Sequence, residues 1–145
     1  MNISIKTFNE LSLNELYQIL QLRSEVFVVE QDCVYQDIDG KDDKALHIIG
    51  DINGEIVAYT RCFDKGFYFE EAAIGRVVVK QEQRKYAYGH QIMKASIKAI
   101  KDHFGTENIK LSAQQYLIKF YESHGFTSLG EGYLEDGIPH IAMVK

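Results

Sequence analysis

The residue types best suited to holding an anion gather in one stretch, Val77-Val78-Val79-Lys80-Gln81-Glu82-Gln83-Arg84-Lys85-Tyr86-Ala87-Tyr88-Gly89-His90. It reads as a strand passing through a turn into a helix. A helix start leaves backbone N–H groups unpaired and carries a partial positive charge, so a pyrophosphate placed there meets ready donors. Small residues at 87 and 89 let a phosphate approach the backbone, and Arg84 and Lys85 add local positive charge to a chain whose formal net charge is −5. A strand-to-helix junction with a glycine and some basic residues is also an ordinary connection, and taken alone the segment supports either reading.

Other reactive side chains are more dispersed. His47, His90 and His103 share no metal-ligand spacing, and Cys33 and Cys62 stand far apart in no CxxC pattern, so no metal is expected and both cysteines read as reduced thiols. The stretch Glu30 to Lys44 (EQDCVYQDIDGKDDK) is acidic, turn-rich and longer than most connections. Its aspartates either make turns in a solvated, mobile loop or attract a cation to a site mouth. Arg23, on the apolar stripe just before, is expected to pair with one of them.

The elements that must carry these residues follow from periodicity. Ile3, Ile5 and Phe8 alternate with polar residues as an opening strand does. Ser12 and Glu15 form a capping-box pattern ahead of Leu16, Ile19, Leu20, Arg23, Val26 and Phe27, whose spacing is helical, with fraying expected near Val28 or Val29. Ala45 to Ile52 and Glu55 to Phe63 flank Asn53-Gly54, a strong hairpin signal. Phe67 to Val79 is β-prone, with a bulge or close approach expected at Gly75. Ile92, Met93, Ser96, Ile97, Ile100 and Phe104 form one helical stripe closed by Gly105. Ile109 to Ala113 is a strand and Tyr116 to His124 a short helix closed by Gly125. Phe126 to Leu129 and Ile138 to Val144 are the last strands, with a turn at Gly137-Ile138-Pro139. The order β-α-loop-β-β-β-α-β-α-β-β predicts an α/β protein (mixed α+β), its sheet flanked by helices.

At 145 residues, 46% hydrophobic and 26% charged, the chain suits a single domain over 1–145 with its own core. No apolar run of about 18 residues suggests a membrane span, and the N-terminus lacks an export pattern, so a cytoplasmic protein is expected. Twenty-one acidic against 16 basic residues argue against binding a nucleic-acid backbone.

The segment Arg84-x-x-Ala87-x-Gly89 resembles the coenzyme A loop, R/Q-x-x-G-x-G/A, of the GNAT superfamily of N-acetyltransferases. Ala87 replaces the family's first glycine, a change that strains the loop if its φ is positive. Downstream, Phe120-Tyr121-Glu122-Ser123-His124-Gly125-Phe126 is similar to the family's F-Y-x-x-x-G-F segment, at the expected order and spacing. Leu22 to Gln31, then Tyr35, Asp37, Asp39-Gly40 and Asp42, and the late Glu135 to Ile141, resemble the ElaA-type branch of that superfamily. The resemblance thus spans nearly the whole chain. It implies a central mixed, mostly antiparallel sheet and acetyl-CoA as co-substrate. The cofactor would be held by the backbone of Val77, Val78 and Val79, by the loop residues Arg84, Lys85, Tyr86, Ala87, Tyr88, Gly89 and His90, and by Gln114 where the family often has asparagine.

The implied reaction is direct attack of a primary amine on the thioester in a ternary complex, with no metal. Such a transfer needs a neutral amine, a polarised carbonyl and a proton for the departing thiolate. Tyr121 is the expected acid, since a phenol with a reference pKa of about 10 is protonated at neutral pH. A backbone N–H near a bulge at Gly75 or Arg76 would polarise the carbonyl. Glu30, Glu131 and His140 are candidate bases, His140 foremost, and the loop carboxylates with Glu135 and Asp136 suggest a small cationic amine or basic peptide terminus. A coenzyme A-binding sensor or scaffold without turnover is the competing reading, since it needs the loop but not the acid. A plain nucleotide-binding reading lacks the Gly-rich Lys-Ser/Thr motif. A homodimer is compatible with all of these.

Overall fold

Strands form where the alternating and β-branched runs fall: β1 (Asn2–Thr7), β2 (Leu46–Ile52), β3 (Glu55–Phe63), β4 (Ala72–Val79), β5 (Ile109–Gln114), β6 (Thr127–Glu135) and β7 (Ile138–Val144). In the computed structural model, which describes all residues 1–145, they make one seven-stranded sheet in the order β1-β2-β3-β4-β5-β7-β6. Every neighbouring pair is antiparallel except β4 and β5, which run parallel. The helices are α1 (Leu13–Arg23), α2 (Tyr88–Phe104) and a short α3 (Ile118–Glu122). None is long and apolar enough to cross a membrane.

Both sheet faces are covered, because successive strand residues point to opposite sides. α1 lays Ile19 and Leu22, and beyond its end Val26, on Ile49, Ile56, Tyr59 and Val78. α2 lays Ile92, Met93, Ala99 and Ile100 on the other face, against Ile48, Ala58, Ile74 and Leu111. Each such side chain contributes about 1.5–3 kcal/mol by leaving water, which anchors both helices firmly. The Ser12–Glu15 capping box forms as expected, with Glu15 N–H donating to Ser12 Oγ at 3.0 Å and Ser12 N–H to Glu15 Oε1 at 2.8 Å.

Several boundaries differ from the sequence expectation. The first helix does not fray at Val28. It widens into a π-helical stretch over Ser24–Glu30, with Gln31 N–H reaching the Val26 carbonyl at 3.1 Å and Cys33 N–H the Val28 carbonyl at 3.0 Å. Phe67 to Glu71 is a turn, not strand, because its rings stack on Phe63 at 5.0 Å (Phe67) and 5.6 Å (Tyr68) instead of extending β4. β6 runs on to Glu135, and the last turn is Asp136-Gly137, with φ of 50° and 78°. Pro139 therefore lies within β7, paired with Leu134 of β6 and beyond His140, where pairing with β5 stops, so its missing N–H breaks no ladder there.

Candidate active site

The two parallel strands define the site by parting. β4 and β5 are in register only at Ala72–Ile109 and Ala73–Lys110, and beyond these pairs they separate. The opening leads into a cleft of about 1020 Å³. On β4, Gly75 and Val78 pair with Arg61 and Tyr59, so Arg76 and Val77 together face the single residue Thr60. This is the bulge expected near Gly75, and Arg76 takes a left-handed φ of 51° to make it. Lys80 N–H then donates to the Val57 carbonyl of β3 at 2.7 Å. By strand alternation Val78 also pairs towards β3, whereas Val79 and Val77 turn their polar backbone groups towards the gap left by β5. Val78 itself packs against α1, so of the three expected valines it is the one whose backbone and side chain are both already engaged.

On the α2 side of the split, the strand-to-helix loop lines the cleft through Arg84, Lys85, Ala87, Gly89 and His90. Ala87 is the helix N-cap at φ 60°, so the strain foreseen for a non-glycine residue there is present. Its side chain caps nothing, and His90 and Gln91 donate back to the Ala87 carbonyl, so the N–H groups of Tyr88 and Gly89, at the first positions of the helix, have no partner inside α2. A Cβ on Gly89 would stand 3.4 Å from the Phe120 ring, at ordinary van der Waals contact, so packing alone leaves room for alanine here. The Tyr86 and Tyr88 side chains do not line the cleft and lie 5.5 Å apart, centroid to centroid, so neither ring is placed to contact a ligand in it. Arg84 donates to the Val79 carbonyl at 3.1 Å and grips Glu30 with both terminal nitrogens, at 2.7 and 2.9 Å. Glu30 is thus not a free base: both of its oxygens are occupied by the loop arginine. Glu131 sits on an exposed irregularity of β6, outside the cleft.

Tyr121 lines the same cavity and is 5% exposed, with no hydrogen-bond partner for its hydroxyl. Burial, and after it the neighbouring Tyr116, push its pKa well above the usual phenol value. Beside it, the Phe120 ring lies tilted against His90 at 4.9 Å, and His90 Nδ1 lies 2.9 Å from His124 Nε2. Burial first, then His90, Lys94 and Lys145, lower the pKa of His124.

The α1 side of the split carries His140, Glu135, Ser112 and Gln114. His140 lies opposite Gln114 on β5 and Tyr133 on β6. Its Nδ1 donates to the Ile138 carbonyl at 2.7 Å, which turns Nε2 to Glu135 at 3.2 Å. Glu135 is the partner that sequence reading left unassigned. The Asp136-Gly137 dipeptide signals a two-residue hairpin, and its register places Glu135 and His140 on one face. Gln114 pairs with Gln31 at 3.4 Å across the cleft.

The acidic loop is solvated at Asp32 and Asp43, but its three central aspartates, Asp37, Asp39 and Asp42, are held by arginines and are not free to steer a cation. Arg23 holds Asp37 and Asp42 at 2.8 Å each, Arg61 holds Asp39 at 2.6 Å and Asp42 at 3.0 Å, and Arg76 holds Asp37 at 2.8 Å. Tyr35 adds a 2.6 Å hydrogen bond to Asp37, and His47 bridges Tyr59 and the Asp42 carbonyl at 2.6 and 2.9 Å. Arg61's hydrogen bond holds Asp39 well below the usual carboxylate range. For Asp42, burial opposes ionisation, but Arg23 and then Arg61 overcome it and lower the pKa.

The sequence and fold agree with known proteins. Residues 9–145 match the family model described as Acetyltransferase (GNAT) domain. Protein ElaA of Escherichia coli is 45% identical over 139 residues, covering 94% of this chain and 91% of that protein. Its crystal structure superposes with a TM-score of 0.93 over 99% of this chain and 98% of the other, at 42% identity. A Pseudomonas aeruginosa protein described as an acyl-CoA N-acyltransferase superposes equally well, at a TM-score of 0.93 and 39% identity over 100% and 99% of the two chains.

Proposed function

Because the chain belongs to the GNAT acetyltransferase family, we propose that it transfers the acetyl group of acetyl-CoA to a primary amine by direct attack in a ternary complex. We also propose that residues 1–145 act as one domain holding both half-sites. The observation that carries the reading is the unpartnered hydroxyl of Tyr121 and the His140–Glu135 pair lining one cleft, which a mere sensor of coenzyme A would not need.

Bound acetyl-CoA supplies the activated acetyl thioester. The chain fits it: the N–H groups at the start of α2 together with Lys85 suit a pyrophosphate, with Arg84 held beside them by Glu30, and the backbone of Val77 and the N–H of Val79, turned away from β3, suit an amide-bearing arm laid along β4. The β4 bulge supplies backbone N–H groups released from pairing, which can polarise the thioester carbonyl. His140 takes a proton from the ammonium on Nε2, since its Nδ1 is committed to the Ile138 carbonyl, which frees the amine lone pair for attack; Glu135 balances the resulting charge, and the second proton lost as the amide forms restores the one that Tyr121 gives up. Tyr121 gives its proton to the departing sulfur, and its raised pKa keeps that proton in place until then.

The test is thiol release from acetyl-CoA by the purified protein, measured with and without a panel of amines. The account expects amine-dependent release with matching acetyl-amine product. Cofactor binding without turnover for every amine would replace the enzyme with a sensor.

A further inference from the structure

The acceptor half of the cleft has an electrostatic and aromatic pattern that selects among amines. Asp37, Asp39 and Asp42 are matched by Arg23, Arg61 and Arg76, and Glu30 by Arg84, so none of these attracts a cation. The carboxylate left beside the proposed base is Glu135, 3.2 Å from His140 and 3.5 Å from Ser112, with Asp136 next to it on the exposed turn. One register row away the surface changes character. Phe63, Ala73 and Lys110 lie side by side across β3, β4 and β5, and Tyr68 and Phe69 close over this row as cleft walls. Lys110 and Ser112 are two residues apart on the same strand face, about 7 Å. That is the reach of a short carbon linker between an amino group and a ring.

Two lysines that do not themselves line the cleft cap the rings of this wall. Lys41 Nζ stands 4.9 Å from the Tyr68 ring and Lys110 Nζ 4.9 Å from the Phe69 ring. Between the two ends the floor is Gly75, where an added Cβ would meet nothing within 4 Å. The floor is therefore open enough to seat a flat group.

We infer that the acceptor is a primary monoamine with a flat apolar body, of the arylalkylamine kind, its amino group at Glu135 and His140 and its ring against the edges of Phe63, Tyr68 and Phe69, whose faces are engaged by one another and by neighbouring cations. A polyamine or a lysine-rich peptide offers no ring to that wall. This rests on the acyltransferase reading for turnover but not for binding, so the two are separated by measuring both.

The experiment titrates 2-phenylethylamine and spermidine by calorimetry into the protein saturated with coenzyme A, and assays both as acceptors of acetyl-CoA. The expected result is binding of 2-phenylethylamine about tenfold or more tighter than spermidine, an aromatic contact of ordinary size, with kcat/KM in the same order. Tyr68→Ala, at a partly exposed position, should remove most of that preference. Gly75→Leu, which needs no strained backbone, should block the aromatic amine while coenzyme A still binds. Binding of 2-phenylethylamine without its acetylation would uphold the subsite and refute the proposed reaction. Equal or tighter binding of spermidine, or a preference unmoved by both variants, would overturn the inference whatever the turnover.

Discussion

Glu30 and Arg84 show how a single contact reassigns a residue. The pair is bidentate, so Glu30 holds the loop arginine rather than accepting a substrate proton. We expect Glu30→Ala to change the KM for acetyl-CoA while leaving kcat within about threefold, because the pair is partly exposed and of modest strength. A fall in kcat on the 100-fold scale of a lost general base would return Glu30 to that role. The pair joins residues 54 positions apart, and no local spacing foretells it. By contrast Arg84, Ala87 and Gly89 were legible, since a strand, a turn and a helix start are local patterns. Even the strain at Ala87 could be posed as a question from sequence, and φ 60° answers it.

Among the elements, the stretch from Asp32 to Asp43 changes meaning most. Its composition reads as a solvated loop, yet Asp37, Asp39 and Asp42 are drawn in by guanidinium groups that are 0% (Arg23) and 1% (Arg61) exposed, while Asp32 and Asp43 stay in solvent. Asp42 accepts from both. Removing one partner of a buried ion pair leaves an uncompensated charge, so Asp42→Asn should cost about 3 kcal/mol or more, seen as a lower urea midpoint at unchanged slope. A loss under about 0.5 kcal/mol would mean that water screens the cluster. Arg23 was expected to pair with a loop aspartate, and the helical stripe was enough to say so. The role of Arg76 was not readable, because it depends on which face of β4 lies above the loop. The final hairpin was readable but misplaced: Asp136-Gly137 is a stronger turn signal than the proline two residues later, and taking it would have found the Glu135–His140 face.

Across the whole molecule, the sheet divides the chemistry in two, with the loop and Tyr121 on the α2 side and His140 with Glu135 on the α1 side. The parting of β4 from β5 joins them, and it is a property of the assembled sheet that periodicity along the chain does not encode. The same assembly sets the response to acid. His47 and His124 both have lowered pKa values, chiefly through burial. The unfolded chain therefore takes up protons near pH 6.5 that the native state refuses, and the stability present above about pH 6.5 is lost as pH falls from there through the folded values. Asp39 and Asp42, also lowered, add their loss only below about pH 4. Urea midpoints should thus begin to fall between pH 7 and 5, above the range in which Asp39 and Asp42 contribute, and a flat profile across that range would contradict the buried-histidine account. The central claim, that this cleft moves an acetyl group with Tyr121 as the acid, is tested most directly by Tyr121→Phe, assayed for kcat and for acetyl-CoA affinity on the same folded sample. The account predicts kcat lower by about 100-fold or more with affinity within about threefold. An unchanged kcat would show that Tyr121 only packs, and that the proton for the sulfur comes from elsewhere.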